Sequence, residues 1–354
     1  GLRGIAALAV LFYHIRSGMS GFAPDWLIAL FAHGYLAVDL FFVLSGFVLW
    51  WTYGEATRMQ GRAAIAPFII RRAARIFPLH LAVMAAMTAF ALLLSLSGRV
   101  PGAQYPLAEL PAHLLLVQNW GFTDRLAWND PAWSISAEWA AYLLLALVGG
   151  AAARLRTGPW HFPLITLAMA GALGGFFALT GRSNIGADIP ATGLARCLAE
   201  FGIGVLLCQW WSACRTNKRS VWLTFVFLAA GSTALITSGL SQPAGVPLAM
   251  AALLIVALEA SLLPRAPLGG ALAQWLGRIS YAVYLSHFFL WILFKLAFVD
   301  DPLNVSPPAI AAFVAGVLLV SHVLHHMVEL PGRRLFQRGG DALLAALQRR
   351  PARG

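Results

Sequence analysis

The chain has 354 residues, of which 60% are hydrophobic and 11% are charged, and its formal net charge is +11. A soluble domain carries about 25% charged residues, so this composition excludes an ordinary soluble protein and indicates a chain covered largely by lipid. The basic residues lie in short gaps between apolar runs rather than in a basic domain, which argues against nucleic acid as a partner.

Ten apolar runs approach the roughly 20 residues that a helix needs to cross the hydrocarbon core of a bilayer. We therefore predict an all-α, polytopic transmembrane helical bundle of about ten spans, with the lipid bilayer as its main partner. The first run is expected to be a retained helix, because no small-residue cleavage site follows His14. The runs are 2–17, 34–53, 78–97, 132–153, 161–180, 194–213, 220–239, 245–263, 278–298 and 309–330.

The basic residues alternate between the two sides of this arrangement. Seventeen lie in every second gap and in the C-terminal tail, against four in the opposite gaps. Since cytoplasmic loops carry the excess of Lys and Arg, both termini are predicted to be cytoplasmic. The sequence then divides into a transmembrane domain, 1–338, and a short basic tail, 339–354, which is expected to form an amphipathic helix at the membrane surface.

Three ionisable residues are predicted to lie at similar depth in the outer half of the membrane. His14 is near the outer end of the first run, Asp39 is five residues below Gly34, and Glu138 is seven residues after Pro131. A charge at such depth is costly, so each is a functional candidate. A neutral imidazole can take a proton from a hydroxyl while a carboxylate orients the ring, and we expect Asp39 or Glu138 to be that carboxylate.

Four further ionisable residues within the runs are candidates. Arg196 and Glu200 are four residues apart, which predicts an ion pair on one helix face, and with Lys295 they are candidates for the polar layer. For His287 a structural hydrogen bond and a catalytic role are equally supported. The three cysteines form no C-x-x-C pair and no zinc spacing with a histidine, so no metal site is expected.

A basic segment on the cytoplasmic side contains Arg71, Arg72 and Arg75. If it is helical, Arg72 and Arg75 share a face and could bind phosphate groups, although an anchor that sets the topology explains them as well. Ser45 and Gly46 are small residues that allow helices to approach closely or that line a narrow tunnel. No G-x-S-x-G surrounds Ser45, which argues against a nucleophilic serine.

Several motifs in this order resemble the acyltransferase 3 family, membrane-bound O-acyltransferases that modify bacterial polysaccharides and some antibiotics. The resemblance implies that the family's Arg-x10-His motif, which is linked to catalysis, falls on Arg3 and His14, and that its Arg-x-x-Arg motif falls on Arg72 and Arg75. The matching segments are GLRGI at 1–5, FFVLSGF at 41–47, RAARIFP at 72–78, WSISAEW at 133–139 and GRISYAVYLSH at 277–287.

The resemblance further implies a multi-pass enzyme of the bacterial cytoplasmic membrane that uses acyl-CoA as a co-substrate, with no permanently bound cofactor. His14 would act as the general base, with Asp39 and Glu138 as catalytic partners. The acyl group, with acetyl expected, would pass to a hydroxyl of a carbohydrate or small-molecule acceptor. The residues expected to hold the acyl-CoA are Arg3, Ser45, Arg71, Arg72 and Arg75.

Two alternatives stay open at this point. The first is a transporter or flippase of a glycan or acylated glycan that uses the polar layer as a proton relay. The second is acyl transfer through a covalent acyl-His or acyl-Ser intermediate. The acceptor is equally open among an O-antigen sugar, an exopolysaccharide, a lipid-linked intermediate and a small secondary metabolite. Acyl chain length and oligomeric state are left open too.

Overall fold

The computed structural model describes residues 1–98, 104–154 and 160–348, and these are mostly helical, with no β-strand among them. Short 3-10 and π turns join several of the helices. The α-helices are α1 (Leu2–Ile15), α2 (Asp25–Ala32), α3 (Ala37–Gln60), α4 (Ile65–Leu96), α5 (Leu110–Leu114), α6 (Ala132–Ala152), α7 (His161–Leu179), α8 (Ile189–Cys214), α9 (Lys218–Thr237), α10 (Gln242–Ser261), α11 (Ala271–Phe298), α12 (Pro307–Leu324) and α13 (Leu330–Gln348).

Each of the ten predicted apolar runs overlaps one of these helices, and the predicted all-α polytopic membrane fold is confirmed. Within the described ranges, eight helical segments are long and apolar enough to cross a membrane, and one of them, Asp25–Leu96, extends over two of the predicted runs. Helix α1 has 14 residues, about 21 Å, and is therefore shorter than a full span. The number of spans and the cytoplasmic termini stay predictions.

The predicted tail begins within α13, which continues without a break from Leu330 to Gln348. The division at residue 338 into a membrane domain and a tail also stays a prediction. Five of the arginines in the charge alternation lie outside the described residues: Arg99, Arg156, Arg349, Arg350 and Arg353.

Two glycines bring α3 and α8 into backbone contact. A Cβ atom at Gly46 would lie 2.0 Å from the carbonyl oxygen of Phe201, and one at Gly204 would lie 2.0 Å from that of Val43. Only glycine fits at either position, and such close approach is how helices gain packing energy within a bilayer. About two helical turns outward from this contact, α3 and α8 hold the side chains of the outer polar layer.

A second close contact sets α1 against α11. A Cβ atom at Gly4 would lie 2.6 Å from the Cβ of Leu276, so the two backbones nearly touch. His14 is ten residues beyond Gly4, and His287 is eleven residues beyond Leu276. Because both helices rise about 1.5 Å per residue, the two histidines reach the same level on neighbouring helices.

Residues 104–131, before α6, pack at the end of the bundle that the sequence predicts to be the outer one. The indole nitrogen of Trp120 donates to the Ser136 carbonyl at 2.9 Å, and that of Trp128 donates to the Pro106 carbonyl at 3.1 Å. Buried His80 of α4 bonds the carbonyl of His113 at 2.8 Å. These bonds hold the segment against the bundle, and its last residues form part of a cavity wall.

Candidate active site

A cavity of about 490 Å³ lies at the end of α1 that the sequence predicts to be the outer one. Its volume falls in the range of small-molecule binding sites. His14, Arg16, Asp130 and Arg196 supply its charged or readily ionised groups. Its aromatic lining consists of Tyr13, Tyr35, Trp133 and Tyr284. Exposed Leu126 and Asn184 also line it, so the cavity is open to the surface on this side.

The imidazole of His14 forms a pair with that of His287. The Nδ1 atom of His14 lies 2.9 Å from the Val10 carbonyl and 3.1 Å from Nε2 of His287, while Nδ1 of His287 lies 3.0 Å from the Val283 carbonyl. A carbonyl only accepts, so His287 carries its proton on Nδ1 and its Nε2 is an acceptor. Nδ1 of His14 therefore carries the proton of that ring and donates to the Val10 carbonyl and to Nε2 of His287.

This chain of bonds leaves Nε2 of His14 unprotonated and without a hydrogen bond to any described residue. Since the ring lines the cavity, this nitrogen is available to a ligand there. An imidazole held in one tautomer by its second nitrogen is the arrangement that general-base catalysis requires. The sequence supports a structural hydrogen bond and a catalytic role equally for His287. The structure shows a hydrogen bond, and its partner is His14.

The expected contact between Asp39 and His14 is wrong. Arg196 donates to Asp39 from Nε and from Nη2, each at 2.6 Å, and the two residues are 1% and 0% exposed. Arg196 also donates to the Ile185 carbonyl and lies 5.5 Å over the ring of Trp133. A buried guanidinium requires such a counterion, and the bidentate geometry occupies both carboxylate oxygens. Asp39 therefore supports Arg196 in the cavity wall.

The same contacts correct the predicted Arg196–Glu200 pair, because the guanidinium of Arg196 faces α3 rather than along its own helix. Glu200 is fully buried next to Asp39, and neither of its carboxylate oxygens accepts a hydrogen bond from the described residues. Lys295 lies apart from this group, with Nζ 5.7 Å over the ring of Trp291, and it does not line the cavity.

The expectation that Glu138 shares the depth of His14 is also wrong. Glu138 accepts hydrogen bonds from the hydroxyls of Tyr142, at 2.5 Å, and Ser45. It lies six residues inside α6, about 9 Å from the helix start, whereas His14 is one residue from the end of α1. The difference in position along the helices separates the two side chains.

A small second cavity of about 30 Å³ contains Glu138 and Arg3 in its lining. Ser45, expected on the donor path, is buried and lines neither this cavity nor the larger one. Tyr284 lines both cavities, and its hydroxyl lies 2.6 Å from Ser134 Oγ and 3.0 Å from the Pro131 carbonyl. Tyr284 therefore lies between the cavity lined by His14 and the small cavity lined by Arg3.

The three arginines of the basic segment differ in their surroundings. Arg72 donates from Nη2 to the Tyr53 hydroxyl at 3.0 Å, and Arg71 is exposed with its guanidinium 6.0 Å from the same ring. Arg75 forms an ion pair with buried Glu329. Of these three arginines, Arg71 and Arg72 have no carboxylate partner in the part of the chain that the structure describes.

Sequence reasoning missed Asp130 as a site residue. Its carboxylate lines the cavity, and one oxygen, Oδ1, is buried without a hydrogen-bond donor among the described residues. Burial raises the pKa of Asp130 to about 6, from its ordinary value of 3.8. In the sequence, Asp130 stands just outside an apolar run, where an acidic residue is common, so no pattern distinguishes it.

Comparisons with known proteins agree with this architecture. Residues 1–326 match the model of the acyltransferase 3 family, described as an acyltransferase domain. Acyltransferase MdmB of Streptomyces mycarofaciens is 37% identical over 42% of this chain and 37% of its own length. Exopolysaccharide production protein ExoZ of Rhizobium meliloti is 27% identical over 87% of this chain and 92% of its own length.

A third relative, protein 2 in the picA locus of Rhizobium radiobacter, is 39% identical over 28% of this chain and 47% of its own length. The chain thus spans less than half of the length of two of these relatives. No solved structure matches. The family model covers the helices that carry His14, His287, Arg72 and Arg196, and the chain belongs to the acyltransferase 3 family.

Proposed function

We propose that the protein transfers an acyl group from an acyl-CoA at the cytoplasmic face to a hydroxyl group of a carbohydrate in the outer cavity. The expected acyl group is acetyl. The observation that carries this proposal is the His14–His287 pair, which leaves one nitrogen of His14 available as a base at the wall of a ligand-sized cavity. The name of the relative ExoZ, an exopolysaccharide production protein, supports a carbohydrate acceptor.

The reaction is a direct transfer with His14 as the general base. Nε2 of His14 takes the proton of the acceptor hydroxyl as the oxygen attacks the thioester carbonyl carbon. The carbon–sulfur bond breaks, and the departing thiolate receives the proton from His14, so the base is regenerated. Binding donor and acceptor at one buried point supplies proximity and keeps water from the thioester.

The donor approaches from the cytoplasmic side in this scheme. Arg3 and the arginines of the basic segment hold the phosphates of CoA, and the thin pantetheine arm extends toward His14. Because Tyr284 lines both cavities, this scheme requires its side chain to turn aside for the thioester to reach the outer cavity. The two hydrogen bonds of its hydroxyl are the only polar contacts that this rotation breaks among the described residues.

The acceptor is held by the walls of the outer cavity. Tyr13, Tyr35 and Trp133 offer flat apolar faces suited to a sugar ring. Asp130 accepts a hydrogen bond from a hydroxyl next to the reacting one, which satisfies its unpartnered oxygen. Asp39 holds Arg196 in the wall of the outer cavity, whereas Glu138 lines the small second cavity, and neither carboxylate contacts the reacting atoms.

The experiment is His14→Ala in purified protein, with release of free CoA from acetyl-CoA measured in the presence and absence of glycan from the producing cells. The wild-type protein is expected to release CoA in an acceptor-dependent manner, and the variant to lose at least a hundred-fold in rate, since general-base catalysis contributes about 10²–10⁴. Near wild-type transfer by the variant would contradict the proposed base. A labelled acyl-enzyme trapped without acceptor would contradict direct transfer.

A further inference from the structure

A second polar cluster lies where the cytoplasmic ends of α1 and α4 meet the start of α13. Its centre is Arg75, whose guanidinium is ion-paired with Glu329, a residue that is 1% exposed, and lies 5.1 Å from the ring centre of Tyr281. Arg3 of α1 lines the small cavity together with Tyr281. Arg333 of α13 follows Gly332, which packs against Pro78 of α4. Three helices thus bring three arginines together.

This cluster carries more positive charge than its carboxylate balances. Glu329 is paired with Arg75 and also accepts from Nδ1 of His325 at 2.9 Å. Neither Arg3 nor Arg333 forms an ion pair within the described ranges. Like charges gathered in one region of the bundle repel, so a bound anion would stabilise the arrangement.

The packing of α13 explains why Arg333 belongs to the cluster. A Cβ atom at Gly332 would lie 2.5 Å from the Cβ of Pro78, so the start of α13 is in direct contact with α4 one turn beyond Arg75. Arg333 follows Gly332 and is half-buried, whereas the next residue, Arg334, is exposed. Two adjacent arginines of the same helix therefore differ in whether they face α4.

We propose that Arg333 binds a phosphate group of the CoA moiety together with Arg3, and that Glu329 is a positioning residue that holds Arg75 beside them. This inference rests on the proposed acyl-CoA donor. It extends the donor site beyond residue 326, where the match to the family model ends. Guanidinium groups suit this task because they form paired, charge-assisted hydrogen bonds with phosphate oxygens.

The test is a binding measurement on purified full-length protein in nanodiscs of phosphatidylcholine, with CoA as the probe. Arg333→Gln is compared with Arg334→Gln, which removes the same charge from the adjacent residue. Arg333→Gln is expected to weaken CoA binding by about ten-fold, as for the loss of one charge-assisted hydrogen bond, and Arg334→Gln by less than two-fold. S-acetylpantetheine, which has no phosphate, should bind both variants and the wild type equally.

Three results would overturn the assignment. Equal CoA affinity of the two variants would remove Arg333 from the site. If Arg333→Gln weakened the binding of S-acetylpantetheine as much as that of CoA, the variant would have a general structural defect. Thermal unfolding of Arg333→Gln and Glu329→Gln would then show whether that defect lies in this cluster. An effect of Arg333→Gln that appears only in nanodiscs with phosphatidylglycerol would assign the residue to lipid headgroups. Wild-type protein that does not bind CoA at all would instead contradict the proposed function.

Discussion

The polar cluster around His14 and the one around Arg75, on the predicted outer and cytoplasmic sides, differ in how their charges are balanced. In the outer one, His14, His287, Arg196 and Asp39 satisfy each other through short, directional hydrogen bonds, and one imidazole nitrogen stays available. In the cytoplasmic one, Arg3 has a charge without a carboxylate partner in the described structure. A base has to be held in one orientation before the substrate arrives, whereas a site for phosphates gains from charge that only the substrate balances.

The largest effect on stability is expected from breaking the buried pair in the outer cluster. Asp39→Asn leaves the guanidinium of Arg196 without its counterion, which costs about 3–5 kcal/mol in the free energy of unfolding. Glu259→Gln is the control, because its partner Lys218 is 52% exposed and such surface pairs contribute about 0–1 kcal/mol. Denaturation of the purified variants measures both values. Equal losses would contradict the account of Asp39.

The next effect tests the tautomer of His14. His287→Leu removes one of the two acceptors for Nδ1–H of His14 and leaves the Val10 carbonyl, so the ring is less firmly oriented. The variant is expected to lower the transfer rate about a hundred-fold without changing CoA affinity. His287→Gln can restore an acceptor through its side-chain oxygen, so it should recover part of the rate. Rates over a range of pH distinguish this role from simple packing. Identical transfer rates for the Leu and Gln variants would contradict the proposed role of the His14–His287 hydrogen bond.

A smaller effect is expected on the donor side. Arg72→Gln removes one cation from the basic segment and should raise the KM for acetyl-CoA about ten-fold while kcat stays within two-fold. Arg58→Gln, an exposed arginine on α3, serves as the control and should leave both constants unchanged. A fall in kcat at constant KM would instead connect Arg72 with the chemistry.

The mildest prediction concerns pH. Burial raises the pKa of Asp130 to about 6, above its ordinary value of 3.8, so the folded protein disfavours the ionised carboxylate. Below pH 4 Asp130 is protonated in both the folded and the unfolded protein and carries no such cost. The free energy of unfolding therefore falls as the pH rises through about 6. Asp130→Asn removes this cost, and its Tm should exceed that of the wild type at pH 7 but not at pH 4. Asp124→Asn, at an exposed loop position, should show no such change.

Helix positions were predictable from apolar runs because the bilayer requires long, continuous helices, and all ten runs overlap helices. The position of a side chain relative to a helix end was harder to predict, because the apolar runs do not mark where each helix begins. Glu138 was assigned too far outward because depth has to be counted from the end of each helix, and six residues inside α6 already amount to about 9 Å.

Partners across helices could not be predicted. A hydrophobic run in which nearly every residue is apolar gives little indication of which face points toward which neighbour. The Asp39–Arg196 pair depends on the reciprocal contacts of Gly46 and Gly204, and the His14–His287 pair depends on Gly4. Such contacts join segments separated by more than 150 residues, and only the folded structure brings them together.

The sidedness of the reaction tests the central claim most directly, because donor and acceptor are proposed to reach His14 from opposite faces. Sealed inside-out and right-side-out membrane vesicles from producing cells are supplied with radiolabelled acetyl-CoA, and label in the glycan fraction is measured. Vesicles that contain the His14→Ala variant set the background. We predict incorporation in inside-out vesicles alone, where the cytoplasmic arginines face the added donor. Equal incorporation in right-side-out vesicles would contradict the account.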